Sequence, residues 1–271
     1  MNYSLQSYRL IVERALDAGY SFLPFTVGED ETASASSSSS AKLIYLRHDV
    51  DYSLEMALEV ARVNAALGVG GTFCVLLRSQ IYNLLSSWSL DLVRQIDALG
   101  QHVALHATVA AGRSQIGEME SALRADFEFA RRDLPMMSPV FCWHNPTPEA
   151  LELSAPLDRM AGLVNAYSRR FTGDIAYFSD SNLRHSVDDF LRFVGGEHAA
   201  LQLLFHPFNW VAGGSSMREV LAGTWPYIIR EREREMRLNR AHRQMLPEGM
   251  PREVLDDFAE RWQLAASLSG E

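Results

Sequence analysis

A chain of 271 residues with 47% hydrophobic content can bury a large core without disulfides or metal to hold it, and its length suits one α/β barrel. A formal net charge of −9 argues against general affinity for nucleic acid or anionic membrane, and no window reaches the roughly 20 apolar residues of a membrane span. Cys74 and Cys142, the two cysteines, lie inside apolar runs and read as buried reduced thiols.

Residues 4 to 18 place Leu5, Tyr8, Leu10, Ile11, Ala15 and Leu16 near helical spacing, with Gly19 as the stop. Arg9 and Glu13 interrupt this stretch, so it reads as an amphipathic helix rather than a secretory signal, and the expected location is cytoplasmic. Tyr20 to Val27 reads as extended. Residues 28 to 41 are acidic and then almost pure serine; they cannot bury enough apolar area to offset their ordering entropy, so a mobile loop is expected, as a lid or as a tolerated insertion.

The next stretch, KLIYLRHDVDYS from Lys42 to Ser53, organises the chain. An apolar run, Leu43 to Leu46, ends in charged residues, and period-two side chains put Asp49 and Asp51 on one strand face with Val50 on the other. Neighbouring carboxylates persist cheaply only with a cation, a shared proton or a basic partner. The plainer alternative is that Asp51 and Ser53 cap the next helix while Asp49 pairs with Arg47 or His48.

A helix from Ser53 to Gly68, a strand over Gly71 to Leu77, a helix over 89 to 99 capped by Ser89, and a strand over His102 to His106 follow. Two strand, helix, strand units in succession are the signature of a parallel sheet with crossover helices. A helix over 114 to 134, a strand over Val140 to Trp143, strands over Leu163 to Tyr167 and Ile175 to Phe178, a helix over 187 to 194 and a strand over Leu201 to Phe205 complete the alternation, close to seven strands. The remainder reads as helical, 216 to 244 and 251 to 267, and either closes the barrel or forms a homodimer contact. Its charged run, 230 to 243, has the i,i+4 spacing of a solvated helix face.

Five strand-like runs end in residues of catalytic type: Asp49 with Asp51, then His106, His144, Asp180 and His206. Carboxyl ends of parallel strands converge on one rim, so these residues are expected to meet. Asp and His donors suit zinc or another first-row divalent metal, with three protein ligands and one open position. A second carboxylate can then take a proton from water and a histidine can protonate a leaving amine, which fits amide hydrolysis.

The run LRHDVDYSLEMALEVARVNAALGVGGTFCVLL, followed in order by GQHVALH, FCWHNPTP, YFSDSN and LLFHPFNW, resembles the polysaccharide deacetylase-like proteins related to NodB and carbohydrate esterase family 4. The resemblance spans about residues 5 to 210 and implies a distorted (β/α)7 barrel and a divalent-metal amidohydrolase. It implies Asp49 as catalytic base, Asp51 and His106 as metal ligands, and His206 as general acid. The family's second metal histidine, four residues after the first, is Ala110 in this chain. His144 is expected to supply the missing ligand, with His102 as the competitor. Asp180 would orient a histidine, bind substrate or replace a ligand. Arg47, His48, Trp143, Asn145, Asn182 and Trp210 are pocket candidates, with ordinary packing as the alternative for each.

The expected function is a metal-dependent deacetylase acting on an N-acylated amino sugar or related small precursor, nucleotide-linked or lipid-linked, in surface polysaccharide biosynthesis. Zinc is the expected metal, ahead of iron, cobalt, nickel or manganese. Hydrolysis of another C–N bond, such as a cyclic amide, and a non-catalytic metal- or carbohydrate-binding protein are the alternatives.

Overall fold

The computed structural model describes residues 1–25, 42–109 and 115–249. Helix α1 (Leu5–Asp17) starts at Ser4, whose side chain accepts from the Ser7 amide, and buries Tyr8, Ile11, Val12 and Ala15 against the sheet layer. Burial of Ile11 and Val12 contributes roughly 1.5–3 kcal/mol each. After the short β1 (Tyr20–Leu23) comes β2 (Lys42–Val50), then α2 (Leu54–Ala66), β3 (Thr72–Leu76), α3 (Ser87–Ala98) and β4 (His102–Thr108). The alternation continues through α4 (Ile116–Ala130), β5 (Val140–His144), α5 (Pro148–Ser154), β6 (Arg159–Met160), β7 (Leu163–Asn165), α6 (Arg169–Thr172) and β8 (Ala176–Ser179). It ends with α7 (Val187–Val194), β9 (Ala200–Phe205), α8 (Pro207–Ala212), α9 (Met217–Arg237) and α10 (Arg240–Met245).

The strands form one sheet in the order β6-β7-β5-β4-β3-β2-β9-β8, with β1 beside the first half of β2. Every pairing is parallel except β6 with β7. This is an α/β fold, the open and distorted barrel that the sequence motifs imply. Among the described residues the edges β6 and β8 do not pair with each other, so the sheet stays open. No helix among the described residues is long and apolar enough to cross a membrane.

Period-two alternation divides the core. On β2, Ile44, Leu46 and Val50 join the large cluster that packs against the helices, whereas Tyr45 joins a small inner cluster with Phe25, Cys74, Ala104, Cys142 and Phe171. The small central side chains Cys74, Ala104 and Cys142 leave room for a guanidinium inside the sheet's concave face. Arg47 fills it, fully buried, 4.3 Å over the Tyr167 ring and within 3.3 Å of Gln202 Oε1.

Several boundaries differ from expectation. Ser89 is not a cap: Ser86 accepts from the Ser89 amide and starts α3 three residues earlier. The strand expected over Leu163 to Tyr167 is cut to three residues, because Asn165 Oδ1 accepts from the Tyr167 amide and turns the chain. The helix expected over 216 to 244 is broken at Asn239, whose side chain caps α10. The first turns of α9 pack on the domain itself, where Val220 meets Met56 and Phe208. The serine-rich segment, Ala110 and the helix expected over 251 to 267 lie outside the described residues.

Candidate active site

At the end of β2, Ser53 caps α2 by accepting from the Met56 amide, so Asp51 is released from that task. Tyr82 pins this end: its hydroxyl donates to the Val50 carbonyl at 2.8 Å and accepts from the Leu76 amide at 2.7 Å. Asp51 therefore projects from a fixed strand end toward β4 and β5. Its Oδ1 lies 3.2 Å from His106 Nε2 and 3.4 Å from His144 Nδ1, and those nitrogens are 3.2 Å apart.

Three donor atoms from three strand ends thus form a nearly equilateral triangle. Tetrahedral coordination with bonds of about 2.0–2.1 Å spaces its donors roughly 3.3 Å apart. Asp51 Oδ1 is buried and receives no aligned hydrogen bond, as suits an atom whose lone pair is reserved for a cation. The residues fit a divalent metal. Burial alone would raise the Asp51 carboxyl, yet His106, His144 and His206 hold it well below its ordinary range. Burial would likewise lower the His106 imidazole, and Cys142, Asp49 and Asp51 outweigh it, so its pKa stands well above 6.5. A pocket that draws protons this way attracts positive charge of any kind.

The remaining ring atoms are also accounted for. His106 Nδ1 sits 3.0 Å from Cys142 Sγ and 3.4 Å from the Cys142 carbonyl, which leaves Nε2 facing Asp51. His144 Nε2 lies 3.2 Å from the side-chain amide of Asn145. Asn145 has φ 44°, a left-handed conformation that asparagine tolerates, and it turns the chain immediately after β5. His102 does not compete: it starts β4, opposite Thr72, four residues before His106 and therefore roughly 13 Å away along the strand.

Asp49 shares the inner face with Asp51 but is held differently. Arg47 Nε lies 3.0 Å from its Oδ1, Arg47 Nη2 donates to its Oδ2 at 3.1 Å, and Cys142 Sγ donates to Oδ1 at 3.3 Å. Burial, which raises a carboxyl, is outweighed by the Arg47 guanidinium and by His106 and His206, so Asp49 is ionised. Its Oδ2 lies 3.8 Å from His106 Nε2.

His206 follows β9 directly, and its Nε2 is 3.8 Å from Asp51 Oδ2. Asp180, fully buried after β8, takes the other side of the ring: Oδ1 is 2.6 Å from His206 Nδ1, while Oδ2 accepts from the His206 amide at 2.9 Å and from Trp210 Nε1 at 2.7 Å. Burial would lower the His206 pKa, but Asp180 first, then Asp51 and Asp49, push it up to about 9.

A cleft of about 710 Å³ opens over these groups, lined among others by Asp51, His144, Asn145, Asn182, His206 and Asn209. Four pocket candidates are corrected. Arg47 is sealed beneath the site by its pairing with Asp49. His48 faces the helices, stacked on Phe73 and bonded to Tyr8. Trp143 faces the same layer and donates to Ser154 Oγ. Trp210 is buried among the rings of Tyr3, Tyr8, Phe190 and Phe205, and its Nε1 donates to Asp180. Asp180 likewise acts on His206 and is absent from the cleft wall.

Three neighbours of the site were not singled out by sequence. Cys142 touches both Asp49 and His106; it lies two residues before His144 and hence on the same strand face, a signal that was present. Asn209 lines the cleft, and its Oδ1 is buried without a partner. Arg78 lines the cleft from the loop after β3 and is held by Asp126, with Nε donating to Oδ2 at 2.9 Å. Nothing local in the sequence marks either of these two.

No protein-family model and no curated protein matches this chain. Solved structures similar to this chain include two of low identity. A mutant of BA3943, described as a CE4 family pseudoenzyme with restored enzymatic activity, is 14% identical with a TM-score of 0.43, covering 70% of this chain and 63% of its own. The Streptococcus pyogenes deacetylase PplD, in complex with acetate, is 12% identical with a TM-score of 0.41, covering 76% of this chain and 84% of its own. This chain thus spans slightly under two thirds of the first structure's length.

Proposed function

We propose that this chain is a metal-dependent amide hydrolase that removes an acyl group from an N-acylated amino sugar or a related small precursor. The observation that carries the reading is the triangle of Asp51 Oδ1, His106 Nε2 and His144 Nδ1 at 3.2–3.4 Å, with an ionised carboxylate and a protonated histidine beside it. In this reading His144 takes the ligand position that Ala110 lacks. The two-nitrogen, one-oxygen set suits zinc, ahead of iron, cobalt, nickel or manganese. A divalent ion bound there supplies a Lewis acid for the amide carbonyl and acidifies water.

The chain's own groups do the rest. Asp49 Oδ2 accepts a proton from the attacking water, whose oxygen bonds to the carbonyl carbon. Arg47 keeps that carboxylate ionised and fixed in direction. As the C–N bond breaks, His206 Nε2 gives its proton to the departing nitrogen. Asp180 holds His206 Nδ1 and so presents Nε2 to the cleft. The products are a carboxylic acid and a free amine. Asn145, Asn182 and Asn209 offer the amide groups that orient hydroxyls of the substrate.

The test is release of free amine from a panel of N-acyl amino sugars by zinc-reconstituted protein. Release that disappears in Asp49→Asn supports the reading, and no release from any member rejects it. One observation favours a second reading. Asp49 is 2% exposed and both its oxygens are engaged, as in a non-catalytic metal-binding protein. Release in wild type that persists undiminished in Asp49→Asn would remove Asp49 as the base.

A further inference from the structure

The cleft lining is mixed. Arg78, Gln80, Thr108, Asn145 and Asn182 are polar, with Leu76 and Ile81 close to the first two in sequence. One wall is aliphatic and aromatic, with Tyr52 and Met217 packed on the Phe208 cluster: Tyr52 directly follows Asp51, Phe208 lies two residues after His206, and Leu221 is one turn after Met217 on α9. The Tyr52 and Phe208 rings meet edge to face at 4.6 Å, and the Phe208 ring is 5.9 Å from that of His206, so the wall begins at the reacting groups.

This wall is preformed. Met217 and Leu221 are four residues apart and share one face of α9. The helix is fixed by its Ser216 cap and by Val220 packed on Met56 and Phe208. Gly223 lets α9 approach α8 so closely that a Cβ there would stand 3.0 Å from the Ala212 Cβ.

Resting on the deacylase reading, we propose that this wall seats an acyl chain longer than acetyl, of medium length, running from the scissile carbonyl along Phe208 to Met217 and Leu221. A space of about 710 Å³ is more than twenty times the ~30 Å³ share of one water and far exceeds an acetyl group. Met217 and Leu221 are aliphatic rather than the flat aromatic platforms that suit a sugar face, and both are half-buried where they line the cleft. Charge argues the same way. The single guanidinium on the cleft wall among the described residues, Arg78, is already held by Asp126, so a nucleotide diphosphate finds no unengaged guanidinium there.

The test is kcat/KM of the zinc-reconstituted protein on N-acetyl, N-butanoyl, N-hexanoyl and N-octanoyl glucosamine, together with calorimetric binding of octanoate and acetate to the metal-free protein. Burial of each methylene adds up to about fourfold, so octanoyl should exceed acetyl by more than tenfold. Leu221→Trp should cut that ratio at least tenfold; Met217→Gln serves the same purpose should the first variant fail to fold. A flat or declining series overturns the proposal while leaving the deacylase reading intact. If no member of the series is cleaved, the deacylase reading fails, and octanoate decides the wall: binding weakened tenfold by Leu221→Trp upholds it, and absent or unchanged binding overturns it.

Discussion

Two histidines on paired strands, His48 on β2 and His206 just past β9, are driven to opposite charge states by what surrounds them. His48 faces the helices. Its Nε2 lies 2.9 Å from the Tyr8 hydroxyl, whose own proton goes to Asn64 Oδ1 at 2.6 Å, so Nε2 carries the imidazole proton. Gln101 extends the network, accepting from Asn64 at 3.2 Å and from the Gly71 amide at 2.9 Å. A Cβ at Gly71 would stand 2.8 Å from the His48 ring, which is why glycine is needed there. The network itself is neutral, and burial lowers the His48 pKa to about 3. His206 faces the cleft among carboxylates and is pushed up to about 9. Both clusters are buried, polar and histidine-centred. Carboxylates that converge on the ring mark the functional one; a chain of neutral partners through Tyr8, Asn64 and Gln101 marks the structural one, where His48 Nδ1 is left buried with no aligned hydrogen bond.

The contrast can be broken from either side. The largest effect is expected for His206→Gln, which should lower kcat by about 10²–10⁴-fold while metal content is kept; unchanged turnover in a steady-state assay would remove His206 as the acid. Next comes Arg47→Met. It leaves the Asp49 carboxylate buried without its counter-charge and should cost about 3–5 kcal/mol in a denaturant titration. Tyr8→Phe, on the structural side, should cost about 1–2 kcal/mol and leave metal content and kcat alone.

Two pH windows complete the contrast. His206 has a raised folded pKa, so its pairing with Asp180 contributes fully below about pH 6.5 and fades as pH rises through about 9. Asp180→Asn should flatten stability over that range. His48 has a depressed folded pKa, so its contribution is present above about pH 6.5 and is lost as pH falls toward 3, at no more than about 1.4 kcal/mol per pH unit. His48→Leu should remove that slope; a slope that survives belongs to other groups.

Much of this was legible in the sequence because strand ends and strand parity are local. The apolar run breaking into Arg47, His48 and Asp49 announced the rim, and the parallel alternation placed His106, His144 and His206 on it. Parity also sorts the neighbours of these residues. Residues 47, 49 and 51 share the inner face, and so do 142 and 144, while His48 and Trp143 fall on the outer one. That alone separates His48 and Trp143 from the cleft and brings Cys142 beside His106. Parity says nothing of depth, and Arg47 is on the right face but one layer too low. Trp210 and Arg78 were out of reach for another reason: their roles depend on Asp180 and Asp126, partners 30 and 48 residues away, brought in by packing alone.

The most direct test of the account is the metal content of purified protein beside Asp51→Ala and His144→Ala, by elemental analysis after zinc loading and desalting. The geometry predicts close to one metal ion per chain in the wild type and near zero in both variants. Metal retained by His144→Ala would move the third ligand elsewhere, and a wild type that holds none would contradict the metal site itself.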